Sequence, residues 1–201
     1  MIWNKRDLSA ETEPADDSGD SKNRVDYLNN RIYFYSEVNR SKVLTLNKKI
    51  TSLNITILNQ VNSLELEEPR ADIKLYINSF GGSVFAGMCA LDYIRGSTVP
   101  ITSVIDGCAA SAATMMSVVA DTRLMHEHSF MLIHQLSSIS WGKFEDLKDD
   151  MINNELLMKT IREIYTKYTK IPKKKLNEIL KRDLWWDAKT CLEYGLVDDI
   201  I

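Results

Sequence analysis

Segments with the patterns of strands and of helices alternate along the chain between residues 31 and 135. ADIKLYIN and PITSVID are typical of strands, whereas SVFAGMCALDYIRGS, ending at Gly96, and SAATMMSVVA are typical of helices. RIYFYSEV and SFMLIHQ predict further strands, and the residues after RIYFYSEV predict a helical segment. Strands that alternate with helices at this spacing indicate βαβ units with right-handed crossovers and a parallel sheet. We therefore predict an α/β fold.

The two ends of the chain depart from this alternation. Residues 1–22 are rich in Asp, Glu, Ser and Lys, a composition that predicts a flexible acidic tail. Apolar residues recur near helical spacing from Phe144 to Tyr168 and predict an unusually long helix from Lys143 to Tyr168. Such a helix either lies across the core or projects and buries its apolar stripe against another subunit. The length of 201 residues favours one domain.

Charge, hydropathy and cysteine usage exclude several classes of function. The net charge is −3 with no basic stripe, which argues against a nucleic-acid partner. No apolar stretch is long enough to cross a membrane, and the first residues do not form a signal peptide, so we expect no membrane partner and no secretion. Cys89, Cys108 and Cys191 lack a CxxC spacing and are interpreted as reduced core residues of an intracellular protein.

Ser111 lies among alanines in VIDGCAASAATMMSVVA, between a predicted strand and a predicted helix. Small neighbours would let a substrate approach this hydroxyl, and the N–H groups at the start of a helix would face a developing oxyanion. The alternative is a helix face rich in small residues that packs against the sheet. This stretch alone favours packing, and the GxSxG elbow of α/β-hydrolases is absent.

Three further segments carry groups that complete a nucleophilic site. INSFGGSV has adjacent glycines before a helix, suited either to an oxyanion hole or to a tight turn. His134 ends an apolar strand as a candidate base or as a core histidine, and Asp183 is a candidate carboxylate that competes with a helix-capping role for Asp187. Together with Ser111, these groups form the complete set for acyl transfer. His126 and His128 lack a third metal ligand at a suitable spacing, so we expect no metal.

The blocks YINSFGGSVFAGM, GCAASAATM, MLIHQ and RDLWWDAKTCLEYGLVDDI resemble those of ClpP, the proteolytic subunit of the Clp ATP-dependent protease. The resemblance covers residues 30–201 in the same order. It implies the ClpP/crotonase fold, in which ββα units stack and a helix and strand protrude as a handle. The domain then spans residues 23–201, with the handle at about 136–168.

The resemblance also implies a role for each matching residue. Ser111 is the nucleophile, His134 the general base and Asp183 the acid that orients it. The backbone N–H groups of Gly82 and Ala112 are the oxyanion donors. The residues implied for substrate binding are Gly81, Ser83, Leu136, Ser137, Ser138 and Ile139, with QLSSISWG as a handle strand on which a peptide adds as a β-strand.

A ClpP-like chain would be a serine endopeptidase inside a chamber of homo- or hetero-oligomeric rings, two stacked heptamers in the family. Its substrates would be peptides or unfolded proteins, fed by an AAA+ unfoldase, and ATP would act only through that partner, without a cofactor. The expected location is the cytoplasm, an organelle matrix or stroma, or the host cytoplasm of a virus.

Departures from the family pattern keep alternatives open. Phe80 and Leu136 stand where the family usually has proline, and SSISWG lacks the glycine-rich handle turn. The alternatives are a phage-type capsid maturation protease without an unfoldase, a crotonase-type acyl-CoA enzyme, and an inactive ring subunit.

Overall fold

The computed structural model describes residues 24–69 and 71–201, and the predicted acidic tail lies outside them. Within these residues the chain forms eight strands and six helices. The strands are β1 (Arg24–Leu28), β2 (Arg31–Tyr35), β3 (Ile73–Ser79), β4 (Ile101–Ala110), β5 (Thr122–Met125), β6 (Phe130–Leu132), β7 (Trp186–Asp187) and β8 (Asp199–Ile200). The helices are α1 (Arg40–Ser63), α2 (Val84–Arg95), α3 (Ala112–Val118), α4 (Phe144–Tyr168), α5 (Lys173–Ile179) and α6 (Ala188–Glu193).

The strands form one sheet in the order β1-β2-β3-β4-β5-β8, with β6 beside the end of β4 and β7 beside β6. The neighbours from β2 to β5 pair in parallel, as the alternation with helices predicts. Only β1 and β7 pair antiparallel to their neighbours among the described strands. The α/β prediction is confirmed.

The core lies between the sheet and the helices that connect its strands. Along β3, alternate residues from Ile73 to Ser79 are buried, so that one face of this strand is covered. Helix α1 places Val43, Leu46 and Ile50 against the same core. This buried alternation fixes the register of the central strands, because a slip by one residue would turn the apolar side chains to the other face.

Strand β4 pairs with β3 along one edge and has two successive partners along the other, with Gly107 between them. Its first half, through Ile105, pairs with β5, and its last residues, from Cys108, pair with β6. Gly107 has φ +92, and an added Cβ there would lie 2.8 Å from the Nδ2 atom of Asn78. Past this glycine, β4 runs beside β6 to the point where the chain turns into α3.

Helix α4 projects from the body of the protein. Of its 25 residues only Ile161 and Tyr165, near its C-terminal end, are buried. Phe144 and Met151, near its start, are 70% and 61% exposed. The long helix is confirmed, and of its two predicted placements the structure has the projecting one.

Several local predictions were incomplete or wrong. β1 and β5 were not predicted, because RVDYL and TRLM are short and mix charged with apolar residues. QLSSISWG forms no strand, since residues 133–143 have no sheet partner within the described chain. Cys89 is exposed on α2 and Cys108 is partly buried, so only Cys191 is the buried core cysteine that was predicted. No helix in the described part of the chain is long and apolar enough to cross a membrane.

Candidate active site

Ser111 forms a one-residue turn between β4 and α3. Its backbone has φ 54 and ψ −127, a region that residues other than glycine rarely occupy. Its N–H donates to the Leu132 carbonyl at 2.9 Å, which ties the turn to the end of β6. Ser111 is the N-cap residue of α3, yet its side chain makes no capping hydrogen bond. The hydroxyl is therefore not used by the helix and is available for chemistry.

The alanines around Ser111 are packing residues. Ala109, Ala110, Ala112 and Ala113 are at most 5% exposed. Ala112 packs closely on α2, since a Cβ added to Gly87 of that helix would lie 3.0 Å from the Ala112 Cβ. The small side chains let α2 and the sheet approach this turn, so the packing interpretation describes the alanines and does not describe the serine.

The glycine turn after β3 lies directly against the serine turn. A Cβ added to Gly81, which has φ +98, would lie 2.7 Å from the Ser111 Cβ. A Cβ on Gly82, which has φ +144, would lie 2.4 Å from the Val38 carbonyl oxygen. Both positions therefore require glycine, for conformation and for space.

The same turn leaves the Gly82 N–H unused by the neighbouring chain. Val38 and Gly82 form an isolated parallel bridge in which Val38 N donates to Gly81 O and Ser83 N donates to Val38 O. In such a bridge the N–H of the central residue points to the opposite side. The Gly82 N–H thus points away from Val38, as a donor to an oxyanion requires.

His134 and Asp183 approach each other across two loops. The His134 Nδ1 atom lies 3.5 Å from the Asp183 Oδ1 atom, and the two side chains are 24% and 49% exposed. The loops are tied by a hydrogen bond of 2.7 Å from Gln135 N to Leu180 O. Because Nδ1 faces the carboxylate, Nε2 is the ring nitrogen left for a second partner.

The surroundings of His134 favour a neutral imidazole. Burial lowers the pKa of His134 below its usual value, and the Asp183 carboxylate opposes that shift. A neutral imidazole is the form that accepts a proton, so the ring is in the state of a general base near neutral pH.

A cavity of about 290 Å³ joins most of the predicted residues. Ser111, Ala112, Gly82, Ser83 and His134 line it, together with Leu136 and Ser137. Gly81 lies behind its wall, and Asp183 lies behind His134. Ser138 lines a neighbouring cavity instead and accepts a hydrogen bond of 2.9 Å from Asn154 Nδ2, while Ile139 is fully exposed. The catalytic and oxyanion candidates thus come together, and the predicted substrate residues divide between the glycine turn and the segment 136–139.

A larger groove of about 980 Å³ between α1 and α2 lacks the groups that this chemistry needs. Its lining contains Cys89 and several hydroxyl groups, but no histidine and no carboxylate. The smaller cavity is therefore the candidate active site.

The competing candidates in the sequence take structural roles. Asp187 caps α6 by accepting a hydrogen bond from Thr190 N at 2.9 Å. Burial raises the pKa of the Cys108 thiol, so it remains protonated and is a poor rival nucleophile. His126 lies 3.8 Å from an Asp106 carboxylate oxygen. The described residues contain no group of three or more His, Cys, Asp or Glu arranged to hold a metal.

Sequence reasoning missed the residues that α4 and α3 add to the site. Ile161, Tyr165 and Met115 also line the cavity. Phe80, in place of the expected proline, is 68% exposed and sets its ring edge-on to Trp185, with the centroids 6.2 Å apart. Helical spacing places Ile161 in the apolar stripe of α4, but nothing in the sequence indicates that this part of the helix lies beside Ser111.

Comparison with known proteins gives a family match over most of the chain. The model of the family described as Clp protease matches residues 28–201. The ATP-dependent Clp protease proteolytic subunit of Deinococcus radiodurans is 29% identical over 170 residues, which are 83% of each chain. A ClpP1 mutant from Listeria monocytogenes has a similar structure, with a TM-score of 0.72 at 20% identity, covering 86% of this chain and 91% of that one. The predicted ClpP-like fold is confirmed.

Proposed function

The chain belongs to the Clp protease family, and on that premise we propose that it is a serine endopeptidase that cleaves peptides or unfolded proteins. One observation carries the proposal. Ser111 is held at φ 54 with its hydroxyl not used for capping, in the same cavity as His134, whose Nδ1 lies 3.5 Å from Asp183. A serine needed only for packing or capping has no reason to occupy this strained turn beside a histidine and a carboxylate.

The proposed reaction proceeds by acyl transfer. Ser111 Oγ attacks the carbonyl carbon of the scissile peptide while His134 Nε2 takes its proton, and Asp183 stabilises the imidazolium through Nδ1. The N–H groups of Gly82 and Ala112 receive the negative charge on the carbonyl oxygen. His134 then protonates the leaving amine, and a water molecule activated by the same imidazole hydrolyses the acyl-enzyme.

The substrate is proposed to lie along residues 136–139. This segment has no sheet partner among the described residues, so its backbone is open to pairing with a peptide strand. The N–H of Gln135, just before the segment, donates to Leu180 O, and the N–H of Leu136, its first residue, donates to Met158 Sδ. Backbone pairing would therefore begin at Ser137, and such pairing gives affinity with little sequence preference.

Exposed apolar side chains support the proposal of oligomeric rings. Ile139 and Trp141 are 100% and 96% exposed, and Ile152 and Leu156 on α4 are more than 60% exposed. Apolar surface of this extent on a projecting element is expected to be covered by another subunit. We propose homo- or hetero-oligomeric rings that enclose the sites, two stacked heptamers as in the family, with ATP used only by a partner AAA+ unfoldase and no cofactor in this chain. The proposed location is cytoplasmic, or an organelle matrix or stroma, or the host cytoplasm of a virus.

A fluorophosphonate probe tests the nucleophile directly. We expect the parent protein and the control variant Ser63→Ala, on the exposed face of α1, to be labelled, and Ser111→Ala to remain unlabelled. His134→Ala and Asp183→Asn should each lower peptide turnover by about three to four orders of magnitude while the native mass of the assembly is unchanged. Unchanged labelling of Ser111→Ala would reject the assignment.

Peptidase assays with and without an unfoldase distinguish the proposed function from the alternative functions. Cleavage of unfolded proteins that depends on an unfoldase supports the chambered protease, and cleavage without one supports a maturation-type protease. Turnover of an acyl-CoA without peptide cleavage would indicate a crotonase-type enzyme. A well-assembled ring without any activity would indicate a structural subunit.

A further inference from the structure

The peptide unit between Ser111 and Ala112 is held through its carbonyl oxygen by Thr114. The Ser111 carbonyl accepts two hydrogen bonds from Thr114, one from its N–H at 3.0 Å and one from its Oγ1 at 2.6 Å. In a trans peptide the carbonyl and the following N–H point in opposite directions. Fixing this carbonyl therefore fixes the direction of the Ala112 N–H. Ala112 is the first residue of α3, so the helix does not use that N–H.

A second hydroxyl, from the long helix, completes the arrangement. The Thr114 Oγ1 and Tyr165 Oη atoms are 2.5 Å apart, and both side chains are buried, at 0% and 2% exposure. A hydroxyl has one proton to donate, and the Thr114 proton goes to the Ser111 carbonyl. The Tyr165 hydroxyl is therefore the donor to Thr114. Hydrogen bonds thus run in one direction, from Tyr165 through Thr114 to the carbonyl of Ser111.

The donor at the start of this series stays protonated under working conditions. Burial raises the pKa of Tyr165 to about 12, and its hydrogen bond to Thr114 acts in the opposite direction. At neutral pH the phenol is neutral and can donate.

The hydrogen bonds from Thr114 and Tyr165 hold a strained backbone conformation at Ser111. Ser111 has φ 54 and ψ −127, so its carbonyl direction is not one that the chain prefers by itself. Thr114 and Tyr165 are 51 residues apart in sequence, and their contact joins the nucleophile turn to the buried end of α4. A rotation of this peptide unit would turn the Ala112 N–H away from the cavity that Ala112 and Ser111 line.

We propose that Thr114 and Tyr165 are positioning residues that aim the Ala112 N–H at the oxyanion. The inference rests on the proposed function, because it assigns these residues to the oxyanion hole of that reaction. An oxyanion donor acts only in the transition state, so a misaimed N–H lowers kcat and leaves substrate binding unchanged. Two hydroxyls that only satisfy each other in the core would instead affect stability and leave kcat unchanged.

Four variants test this distinction. Thr114→Val and Tyr165→Phe each remove one hydroxyl and keep the shape of the side chain, whereas Thr114→Ser keeps the hydroxyl. Thr160→Val makes the same chemical change at a partly exposed position of α4, where Oγ1 bonds within the helix to Leu156 O. For each variant we would measure kcat and KM with a fluorogenic peptide, the inhibition constant of a peptide boronate that forms a tetrahedral adduct, and the melting temperature.

We expect Thr114→Val and Tyr165→Phe to lower kcat about tenfold with KM unchanged, since the donor is misaimed and not removed. The boronate should bind more weakly by a similar factor. Thr114→Ser should return kcat to within about threefold of the parent, and Thr160→Val should match the parent. The double variant should be no slower than Thr114→Val, because both changes break one series of hydrogen bonds.

The outcomes separate this inference from the function on which it rests. If the parent protein cleaves peptides and both variants keep kcat within about twofold of it, the positioning role is refuted and the protease assignment stands. A loss of kcat that Thr114→Ser does not restore, or an equal change in KM, also refutes it. If the parent neither labels at Ser111 nor cleaves peptides, the proposed function fails and the inference fails with it.

Discussion

The turn at Ser111 predicts that an inactive protein can be made more stable by the choice of the inactivating residue. Ser111→Ala and Ser111→Gly both remove the hydroxyl, but only glycine adopts φ 54 without strain. A residue held in such a region costs about 1–3 kcal/mol, whereas glycine adds about 0.4–1 kcal/mol of unfolded-chain entropy. Deleting the partly exposed Cβ costs less than the roughly 0.8 kcal/mol of a buried methylene. With mid-range values, Ser111→Gly is more stable than Ser111→Ala by about 1 kcal/mol.

Urea unfolding at equal protomer concentrations measures this difference. With a slope of about 2 kcal/mol/M, the midpoint of the glycine variant should be higher by about 0.5 M. Leu64→Gly and Leu64→Ala give the matched control, because Leu64 is 65% exposed and ends α1 at φ −102. At that position glycine should give no gain. A midpoint for Ser111→Gly equal to or below that of Ser111→Ala would refute the strain argument.

Three further predictions concern pH and packing. Since the pKa of His134 is lowered, a pH–rate profile should show kcat/KM falling on acidification only below about pH 6.5. Asp183→Asn lacks the carboxylate that opposes this lowering, so its kcat/KM should fall at a still lower pH. Gly81→Ala should abolish activity and lower the melting temperature, because the new Cβ would lie 2.6 Å from a backbone carbonyl oxygen of β4; normal activity would contradict the close approach. The hydrogen bond from Arg123 lowers the pKa of Asp198 in the folded protein. The stability that the Asp198 carboxylate contributes is therefore present above its ordinary pKa of about 3.9 and is lost as the pH falls through its pKa in the folded protein. The free energy of unfolding of Asp198→Asn should therefore differ from that of the parent near neutral pH and converge with it in acid.

The parts of the fold that could be predicted are those with a strong local pattern. The alternation in β3 and the stop signal at Gly96 after α2 are visible in the sequence, and the structure has both elements at those places. TRLM could not be recognised, because β5 is a strand only by virtue of its pairing with β4 on one side and β8 on the other. The same holds for β1, whose residues are mostly exposed and which pairs with β2 alone.

The candidate site divides in the same way. Ser111, His134, Gly82 and the carboxylate at Asp183 stand beside turns and strand ends that the pattern identifies. Tyr165 reaches the site only because the C-terminal end of α4 packs against α3, and no spacing in the sequence encodes that contact. Conversely, the alanines around the serine suggested substrate access, but their burial shows that packing against α2 explains them.

The pairing of β3 with β4 has a consequence for how this site tolerates change. Ser79 is opposite Ala109 after a shift in register, and counting two residues onward on each strand leads to Gly81 and Ser111, which are in contact. The glycine turn and Ser111 thus follow directly after the last paired residues of two neighbouring strands, along which each residue advances about 3.3 Å. Lengthening or shortening β4 by one residue at its irregular pairing would move the hydroxyl by a full step. Insertions elsewhere on the surface do not change the number of residues between the Ser79–Ala109 pair and the site. Insertions and deletions should therefore be tolerated in the surface loops and not in β3 or β4.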